Sequence, residues 1–272
     1  MKKIKTILVP LVALMVITSC QKMERPALGD YPKDAGTPGG PLKFYVAFDG
    51  TTTDALRNAV DSTRANFPSE NPFTSIAGIT GKAAQGVDQK IIKYSNSNGF
   101  TASSSFAVSF WEKHNGAAIG EAQFVFSIPS DAGHWSGGTM FLIFDNDGAG
   151  STNDLTVMKF MVYDQGGENW FELSGANRVP GVVDNQWHHM VFSYDEATSN
   201  MSVYKDGQLF KTLPWAGHGK IRVDGSKVTG FFLGGKCVSG WGQSWIGGLD
   251  QFRLYGKALT AAEVTNLFNK KL

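Results

Sequence analysis

The sequence predicts an all-β protein, a two-sheet antiparallel β-sandwich or jelly roll, with a short C-terminal helix. The first indication is composition: the 272 residues include 32 glycines and 12% aromatics, which is typical of short strands joined by tight turns. The second is the alternation of apolar and polar residues in many short segments bounded by Gly, Asn, Asp or Ser. The third is that strands do not alternate with helices, so a parallel α/β sheet is not expected.

Each element follows from a local pattern. Thr260 and Glu263 have the spacing of a capping box, so LTAAEVTNLFNKKL predicts a helix that begins near Thr260. Asp206-Gly207 lies between two strand-like segments and predicts a tight hairpin turn with positive φ. The segment DALRNAVDSTRANF is compatible with a short helix or a loop. The predicted strands are LKFYVAF, SFAVSFWEK, AQFVFSI, TMFLIF, LTVMKFMVYD, HHMVFSYD, NMSVYKDG, TGFFLGG and LDQFRLYG.

The N-terminus has the pattern of a targeting segment. In residues 1–20, the basic MKKIK precedes an apolar run that is short for a membrane span. Ile17-Thr18-Ser19-Cys20 resembles the bacterial lipobox, which implies a lipid on Cys20, although an ordinary secretory signal is the alternative. Residues 21–41 are rich in Pro, Gly and charge and predict a flexible tether. We therefore expect an outer-membrane lipoprotein at the cell surface, with a periplasmic orientation left open.

The charge balance argues against nucleic-acid binding, and the cysteine content bears on disulfide formation. Lys and Arg number 25 against 24 Asp and Glu, so the chain has no excess of positive charge to bind nucleic acid. The membrane is expected as a partner only through the lipid anchor. The second of two cysteines, Cys237, has no disulfide partner if Cys20 carries lipid, and it is predicted to be a small buried or loop residue.

Four separated blocks indicate a fold family. SFAVSFWEK, NQWHHMVFSYD with MSVYKDGQL, and WIGGLDQFRLYGKALTAAEVTNLF resemble the laminin-G-like, concanavalin A-like jelly-roll domains, and LKFYVAFDG resembles their first strand. The resemblance covers residues 42–272, the predicted domain. It implies that the C-terminal helix packs against the end of the sandwich. We therefore expect deletion of residues 258–272 to destabilise the fold.

The adjacent histidines His188 and His189 are interpreted as structural. In a strand they point to opposite faces, so they cannot bind one metal ion together. One is expected in the core and the other on the opposite face.

No catalytic residue is assigned, although a site built from scattered residues stays open. The jelly-roll family also contains glucan hydrolases, which share a Glu-x-Asp-x-x-Glu signature that is missing from this sequence. Glu168 and Glu172 would share a strand face about 13 Å apart, too far for a glycosidase pair. The sequence also contains no GxSxG or HExxH motif and no Cys-His nucleophile arrangement.

Calcium is a possible structural cofactor. Some members of the family hold calcium between the first and last strands, and Asp49 and Asp250 occupy the positions that match those ligands. The alternative is that both carboxylates only make turn and strand-edge hydrogen bonds. The loop DNDGAGSTND is predicted to be a polar hairpin turn, since Thr156 stands where a calcium-binding EF-hand has its bidentate Glu.

Tryptophans supply the candidate binding site. Trp111 and Trp187 fall in predicted strands and are expected in the core. Other tryptophans lie in Gly-rich surroundings, where an exposed indole beside polar groups suits the apolar C–H face of a sugar. The predicted platform consists of Trp135, Trp170 and Trp241 with His134, Asn169 and Gln243.

The leading hypothesis is a non-catalytic, lipid-anchored surface protein that binds carbohydrate, with a polysaccharide or other glycan as partner. A protein-binding adhesion module is the second hypothesis, since laminin-G-like domains also bind proteins. A hydrolase or lyase with an unrecognised site is the third.

Overall fold

The computed structural model describes residues 40–49, 56–66, 73–114, 119–146, 150–237 and 240–271. The predicted targeting segment with Cys20, and residues 21–39 of the predicted tether, lie outside the described residues. Among the helices of the described residues, none is long and apolar enough to cross a membrane.

The described chain consists mainly of β-strands, with one α-helix near its C-terminus. The helix α1 spans Ala261–Lys270. The strands are β1 (Leu42–Val46), β2 (Thr74–Ala77), β3 (Lys82–Gln85), β4 (Ile92–Tyr94), β5 (Phe106–Lys113), β6 (Gln123–Pro129), β7 (Gly138–Asp145), β8 (Leu155–Asp164), β9 (Gly167–Leu173), β10 (Val179–Pro180), β11 (His188–Asp195), β12 (Asn200–Lys205), β13 (Gln208–Pro214), β14 (Phe231–Leu233), β15 (Gln243–Ser244) and β16 (Gly248–Tyr255).

These strands form two sheets. Sheet I has the order β13-β12-β11-β5-β16-β3-β2, and β1 also pairs with β16. Sheet II has the order β10-β8-β7-β6-β14-β4, with β9 beside β8 and β15 beside β6. Among these pairs the two-residue β15 is parallel to β6, and the others are antiparallel. The predicted two-sheet antiparallel sandwich is confirmed.

The main core lies between the two sheets. Phe126 of β6 meets Phe252 of β16 edge to face, with ring centroids 5.8 Å apart. Phe106 of β5 stacks on Phe160 of β8 at 5.5 Å. All four rings are fully buried, and burial of each contributes about 1.5–3 kcal/mol, so contacts across the two sheets hold the sandwich together.

The C-terminal helix covers the outer face of sheet I. Val264 of α1 and the preceding Leu259 are buried in a cluster with Ala107 and Val191, whose strand neighbours face the main core. The predicted capping box is present, since Thr260 Oγ1 accepts from the Glu263 amide and the Glu263 carboxylate accepts from the Thr260 amide. The helix therefore lies on a face of the sandwich rather than against its end, which corrects that expectation.

The hairpin predictions agree with the structure. Asp206 and Gly207 both have positive φ, 50° and 78°, and join β12 to β13. The loop after Asp145, whose residues 147–149 lie outside the described residues, connects the antiparallel β7 and β8. All nine predicted strands are present. The segment predicted as a helix or loop contains no helix where it is described, over residues 56–66.

Candidate functional site

The outer face of sheet II carries a second, buried apolar cluster. Side chains alternate along a strand, so one face of an outer sheet is normally polar. Here Met140 and Leu142 of β7 enter the main core, while their neighbour Phe141 points outward. We call the outward set the outer apolar patch; it consists of Ala122, Phe124, Phe141, Ile143 and Met161.

Trp170 and Trp241 pack on this patch, and together with Trp135 they form what we call the tryptophan cluster. Trp135 and Trp170 are nearly parallel, with ring centroids 6.4 Å apart, and Trp241 meets Trp135 at 5.7 Å. Trp170 packs edge to face on Phe141 at 5.4 Å, and Trp241 packs on Phe124 at 5.3 Å. The structure thus brings together the three tryptophans that the sequence selected.

Each tryptophan comes from a different part of the chain. Trp135 lies in the β6–β7 loop, whose ends are joined by the hydrogen bond from Ser130 N to Gly137 O, 2.9 Å long. Trp241 lies just before β15, and a Cβ at the neighbouring Gly242 (φ +63°) would stand 2.7 Å from the Phe124 ring, so this approach requires glycine. Trp170 lies in β9, in register with Met161 of the patch. It is therefore a strand residue and not the loop residue that the sequence suggested.

Neighbouring polar groups fix the cluster. The Trp170 Nε1 donates to Glu168 Oε1. The Glu168 Oε2 lies 3.1 Å from His134 Nε2, and the other ring nitrogen of His134 is 2.7 Å from Ser136 Oγ. Burial raises the pKa of Glu168, but the hydrogen bonds with His134 and Trp170 outweigh it and lower that pKa. The carboxylate stays charged and holds both side chains in place.

The exposed fraction distinguishes Trp135 from the other two tryptophans. Trp135 is 59% exposed, whereas Trp170 and Trp241 are half-buried. An indole this exposed contributes little to a core, and its ring is supported from below by the other two.

An open cleft of about 590 Å³ adjoins the cluster. On its floor, Lys159 Nζ lies 2.9 Å from Asp145 Oδ2, and both side chains are largely buried. Glu172 of β9 is exposed and is in register with Lys159. The described residues that line the cleft are Gly120, Glu121, Ala122, Trp135, Asp145, Asn146, Lys159, Trp170, Glu172 and Trp241.

Three of the predicted platform residues, His134, Asn169 and Gln243, are outside the described lining of the cleft. His134 contacts Glu168 instead. Asn169 is in register with Val162, which belongs to the main core, so it faces the opposite side of β9 from Trp170. Its amide nitrogen is buried without a hydrogen-bond partner. Gln243 lies in β15 beside Gln123 of β6, next to the cluster in sequence but outside the described lining of the cleft.

The sequence interpretation missed the polar lining, although Glu172 had a readable signal. In ENWFEL, alternation places Glu168, Trp170 and Glu172 on one face of the strand. Glu121, Asp145 and Lys159 come from other strands and loops and gave no such signal.

The two predicted metal ligands meet at the β2–β3 turn. Asp49 Oδ1 accepts from the Lys82 amide at 2.6 Å, and Asp250 Oδ2 accepts from the Ile79 amide at 2.8 Å. Asp250 is fully buried and its Oδ1 has no hydrogen-bond partner. Burial, with a smaller contribution from the charge of Asp49, outweighs the hydrogen bond from the Ile79 amide and raises the pKa of Asp250 to about 8. A buried carboxylate oxygen without a partner, close to a second carboxylate, fits a hard cation with oxygen ligands.

Cation ligands other than these two carboxylates would have to be backbone carbonyls, neutral oxygens or water. In the described part of the chain, no group of three or more His, Cys, Asp or Glu side chains is placed to hold a metal ion. Calcium accepts backbone and amide carbonyls as ligands, so whether a calcium ion fits here depends on the carbonyl groups of the β2–β3 turn.

The histidine pair is divided between two environments, as the sequence predicts. His189 is fully buried, with Nε2 2.9 Å from Ser109 Oγ and its ring 5.0 Å from Trp111, on the side of sheet I that α1 covers. His188 is half-buried, and its two ring nitrogens lie 2.9 Å from Asp206 and 3.1 Å from Asp184. These contacts fix the end of β11 and the hairpin turn.

The other residues singled out in the sequence analysis are buried or half-buried: Trp111, Trp187 and Cys237. Trp111 is buried as expected, whereas Trp187 precedes β11 and is only half-buried. Burial raises the pKa of the Cys237 thiol to about 11, so the nucleophilic thiolate is disfavoured.

Comparisons with known proteins identify the fold. The laminin G family model described as the concanavalin A-like lectin/glucanases superfamily matches residues 86–265. A comparison with curated proteins found no match.

Several solved structures are similar at low identity, which shows a shared fold. Domain 4 of AbnA, a GH43 extracellular arabinanase from Geobacillus stearothermophilus solved in complex with arabinotriose, is 20% identical with a TM-score of 0.57, covering 83% of this chain and 97% of that chain. The binding domain of Paraclostridial mosquitocidal protein 1 is 15% identical with a TM-score of 0.61, covering 85% and 52%. Trypanosoma rangeli sialidase in complex with sialic acid is 14% identical with a TM-score of 0.55, covering 85% and 33%.

Proposed function

Because the chain belongs to the concanavalin A-like lectin/glucanases superfamily, we propose that it binds polysaccharide without cleaving it, through the tryptophan cluster and the adjoining cleft. The observation that carries this proposal is an indole, Trp135, that is 59% exposed and held in place by two further tryptophans. Exposed aromatic surface of this kind marks a binding site more often than a structural element.

The chemistry of the cluster suits a sugar. The apolar C–H face of a pyranose or furanose ring packs on an indole, and the hydroxyls around its edge need hydrogen-bond partners. Glu172 and Asn146 supply acceptors and donors on the cleft wall. Because Glu168 bonds to Trp170 and the outer apolar patch packs against Trp170 and Trp241, these two indoles lose little conformational entropy when a ligand binds.

The solved structures support this proposal at the level of the fold. The arabinanase domain was solved with arabinotriose, and a botulinum neurotoxin DC binding domain was solved with SialylT. Those ligands belong to those proteins, and this chain's cleft has its own residues.

Affinity electrophoresis through gels with soluble polysaccharides tests the proposal. We expect at least one polysaccharide to retard the protein, and Trp135→Ala or Trp241→Ala to weaken binding about tenfold or more, since buried aromatic contacts at interfaces often contribute about 2 kcal/mol. The matched control is Leu209→Ala: Leu209 is 57% exposed but lies on β13 of sheet I. Thermal unfolding of each variant separates loss of the site from loss of the fold.

Other outcomes would favour the other hypotheses. Indifference to every glycan, with retained folding, would favour a protein-binding adhesion module. Release of reducing ends or unsaturated products by the purified protein would establish a hydrolase or lyase.

We also propose that Asp49 and Asp250 hold a structural calcium ion. The buried Oδ1 of Asp250, which lacks a hydrogen-bond partner, supports this. Bound calcium would offset the desolvation of Asp250 and connect β16 with the β2–β3 turn. Calorimetric titration of chelator-treated protein is expected to show heat and a thermal shift with calcium, and the absence of both would remove the idea.

A lipid on Cys20 is the proposed anchor. The lipobox-like Ile17-Thr18-Ser19-Cys20 and the Pro- and Gly-rich residues 21–41 support it from the sequence. An anchor with a flexible tether would hold the binding domain at the cell exterior.

A further inference from the structure

The ionised groups of the cleft are unequal in sign. Among the described residues that line it, Lys159 is the single cation, against the carboxylates of Glu121, Asp145 and Glu172. Glu168, which bonds to Trp170, adds a fourth carboxylate beside the cluster. Any ligand that lies on the tryptophans therefore meets a predominantly negative surface.

The single cation is already engaged. Lys159 Nζ lies 2.9 Å from Asp145 Oδ2, and the side chains are only 7% and 11% exposed. An anionic ligand that recruited Lys159 would leave the Asp145 carboxylate buried without its partner, which is strongly unfavourable. The buried pair thus contributes no net charge for a ligand.

The uncompensated charges are exposed where a ligand would lie. Glu121 and Glu172 are both exposed and both line the cleft. A sugar carboxylate or sulfate in a cleft of about 590 Å³ would lie within about one Debye length, roughly 8–10 Å, of both charges, so salt screens the repulsion only partly. A neutral sugar meets no such repulsion, and its hydroxyls can donate to the same carboxylates.

We infer that the site selects uncharged polysaccharides and excludes those whose sugars carry carboxylate or sulfate groups. This inference rests on the proposed function and specifies its ligand class.

Affinity electrophoresis of the full chain, run with matched pairs of neutral and anionic polymers, tests the inference. The pairs are hydroxyethyl cellulose with carboxymethyl cellulose, and dextran with dextran sulfate. We expect at least one neutral polymer to retard the protein and its anionic partner to bind at least about tenfold more weakly at low salt. The difference should shrink at 0.5 M salt, where the Debye length falls to about 4 Å.

Charge-neutral variants give the second arm. Glu121→Gln with Glu172→Gln keeps the size and one oxygen acceptor of each side chain but removes both charges. The measured quantity is the ratio of anionic to neutral polymer binding, because weaker acceptors affect both polymers, and this ratio should rise about tenfold. The matched control is Asp88→Asn, which removes an exposed charge in the β3–β4 connection.

The outcomes distinguish a failure of charge selection from a failure of polysaccharide binding itself. Equal or tighter binding of an anionic polymer, or no effect of the paired Gln variant, overturns the charge selection and leaves polysaccharide binding standing. Retardation by neither kind of polymer overturns both.

Discussion

At the scale of single residues, Asp250 has the most unfavourable environment described at either candidate site. It is fully buried in β16, and one of its oxygens has no partner. Burial, with the charge of Asp49 in addition, raises its pKa from 3.8 to about 8. The folded protein therefore holds this proton more tightly than the unfolded chain does. Ionisation of Asp250 reduces the free energy of unfolding progressively as the pH rises from about 4 to about 8.

The substitution Asp250→Asn isolates this effect. In the presence of a chelator, the free energy of unfolding of the native protein should fall relative to that of the variant between pH 4 and pH 8, as measured by urea denaturation at several pH values. Added calcium should restore the free energy of unfolding of the native protein above about pH 6 and leave that of the variant unchanged. Exposed Asp88→Asn serves as the control. Parallel pH profiles for the native protein and Asp250→Asn would contradict the assignment.

The candidate site shows which residues a sequence can reveal. Trp135 and Trp241 were recognisable because a large apolar side chain in a Gly-rich loop is hard to bury. Trp241 packs on Phe124 of the outer apolar patch, and Trp135 packs on Trp241. Asn169 was placed on the wrong side because the alternation that puts Glu168 and Glu172 on one strand face was not applied to the predicted platform, and this alternation turns Asn169 away from Trp170. Asp145 and Lys159 could not be assigned, since their contact depends on the register between β7 and β8.

At the scale of elements, α1 is held by its cap and by one apolar stripe. Val264 is fully buried, and Leu259 just before the helix is nearly so. The Phe268 ring stacks on Trp111 with centroids 5.6 Å apart. The helix therefore covers apolar surface of sheet I that would otherwise face solvent.

Deletion of residues 258–272 should destabilise the domain by at least about 3 kcal/mol, because it removes two buried aliphatic side chains and uncovers Trp111. The single substitution Thr260→Ala removes the helix cap and should lower the free energy of unfolding by about 1 kcal/mol. Asn266→Ala, on an exposed position of the same helix, is the control. Urea denaturation measures all three, and unchanged unfolding of the truncated protein would refute the closing role of the helix.

The strands that the sequence did not reveal are short or exposed. β2, β3 and β4 have only three or four residues each, too few for an alternating pattern to be significant. β13 lies at the edge of sheet I and has no fully buried residue, so the preceding Asp206-Gly207 turn was its only signal. The buried strands β5 to β8, by contrast, were predicted because they are longer, with seven to ten residues each, so their apolar pattern between turn residues is distinct.

At the scale of the whole domain, the two outer faces of the sandwich have different uses. The outer face of sheet I is covered by α1, where Val191 and Tyr204 are buried. The outer face of sheet II carries the outer apolar patch, the tryptophan cluster and the cleft. Because the inner faces join the two sheets, the proposed sugar site and the C-terminal helix lie on opposite sides of the sandwich.

Attachment to a membrane is the remaining proposal at this scale, and the two cysteines provide a matched test. Cells that express the full chain with an alkyne-tagged fatty acid should label the native protein and Cys237→Ala, but not Cys20→Ala, because Cys20 is the residue after the lipobox-like Ile17-Thr18-Ser19. Cys237 is partly buried with a raised pKa, so it should not acquire the label in place of Cys20. Label retained by Cys20→Ala would contradict the anchor.

The same cells can also show on which side of the outer membrane the domain lies. If the domain is at the cell surface, intact cells should bind the polysaccharide that retards the purified protein, and cells with Trp135→Ala should bind it about tenfold or more weakly. Added protease should then remove the domain from intact cells, because the predicted tether of residues 21–41 is polar and rich in Gly and Pro, a composition that proteases cleave readily. Protection from protease, with binding seen only after the outer membrane is permeabilised, would instead place the domain on the periplasmic face. The anchor and the sugar site would both survive that result, since neither depends on which side of the membrane the tether holds the domain.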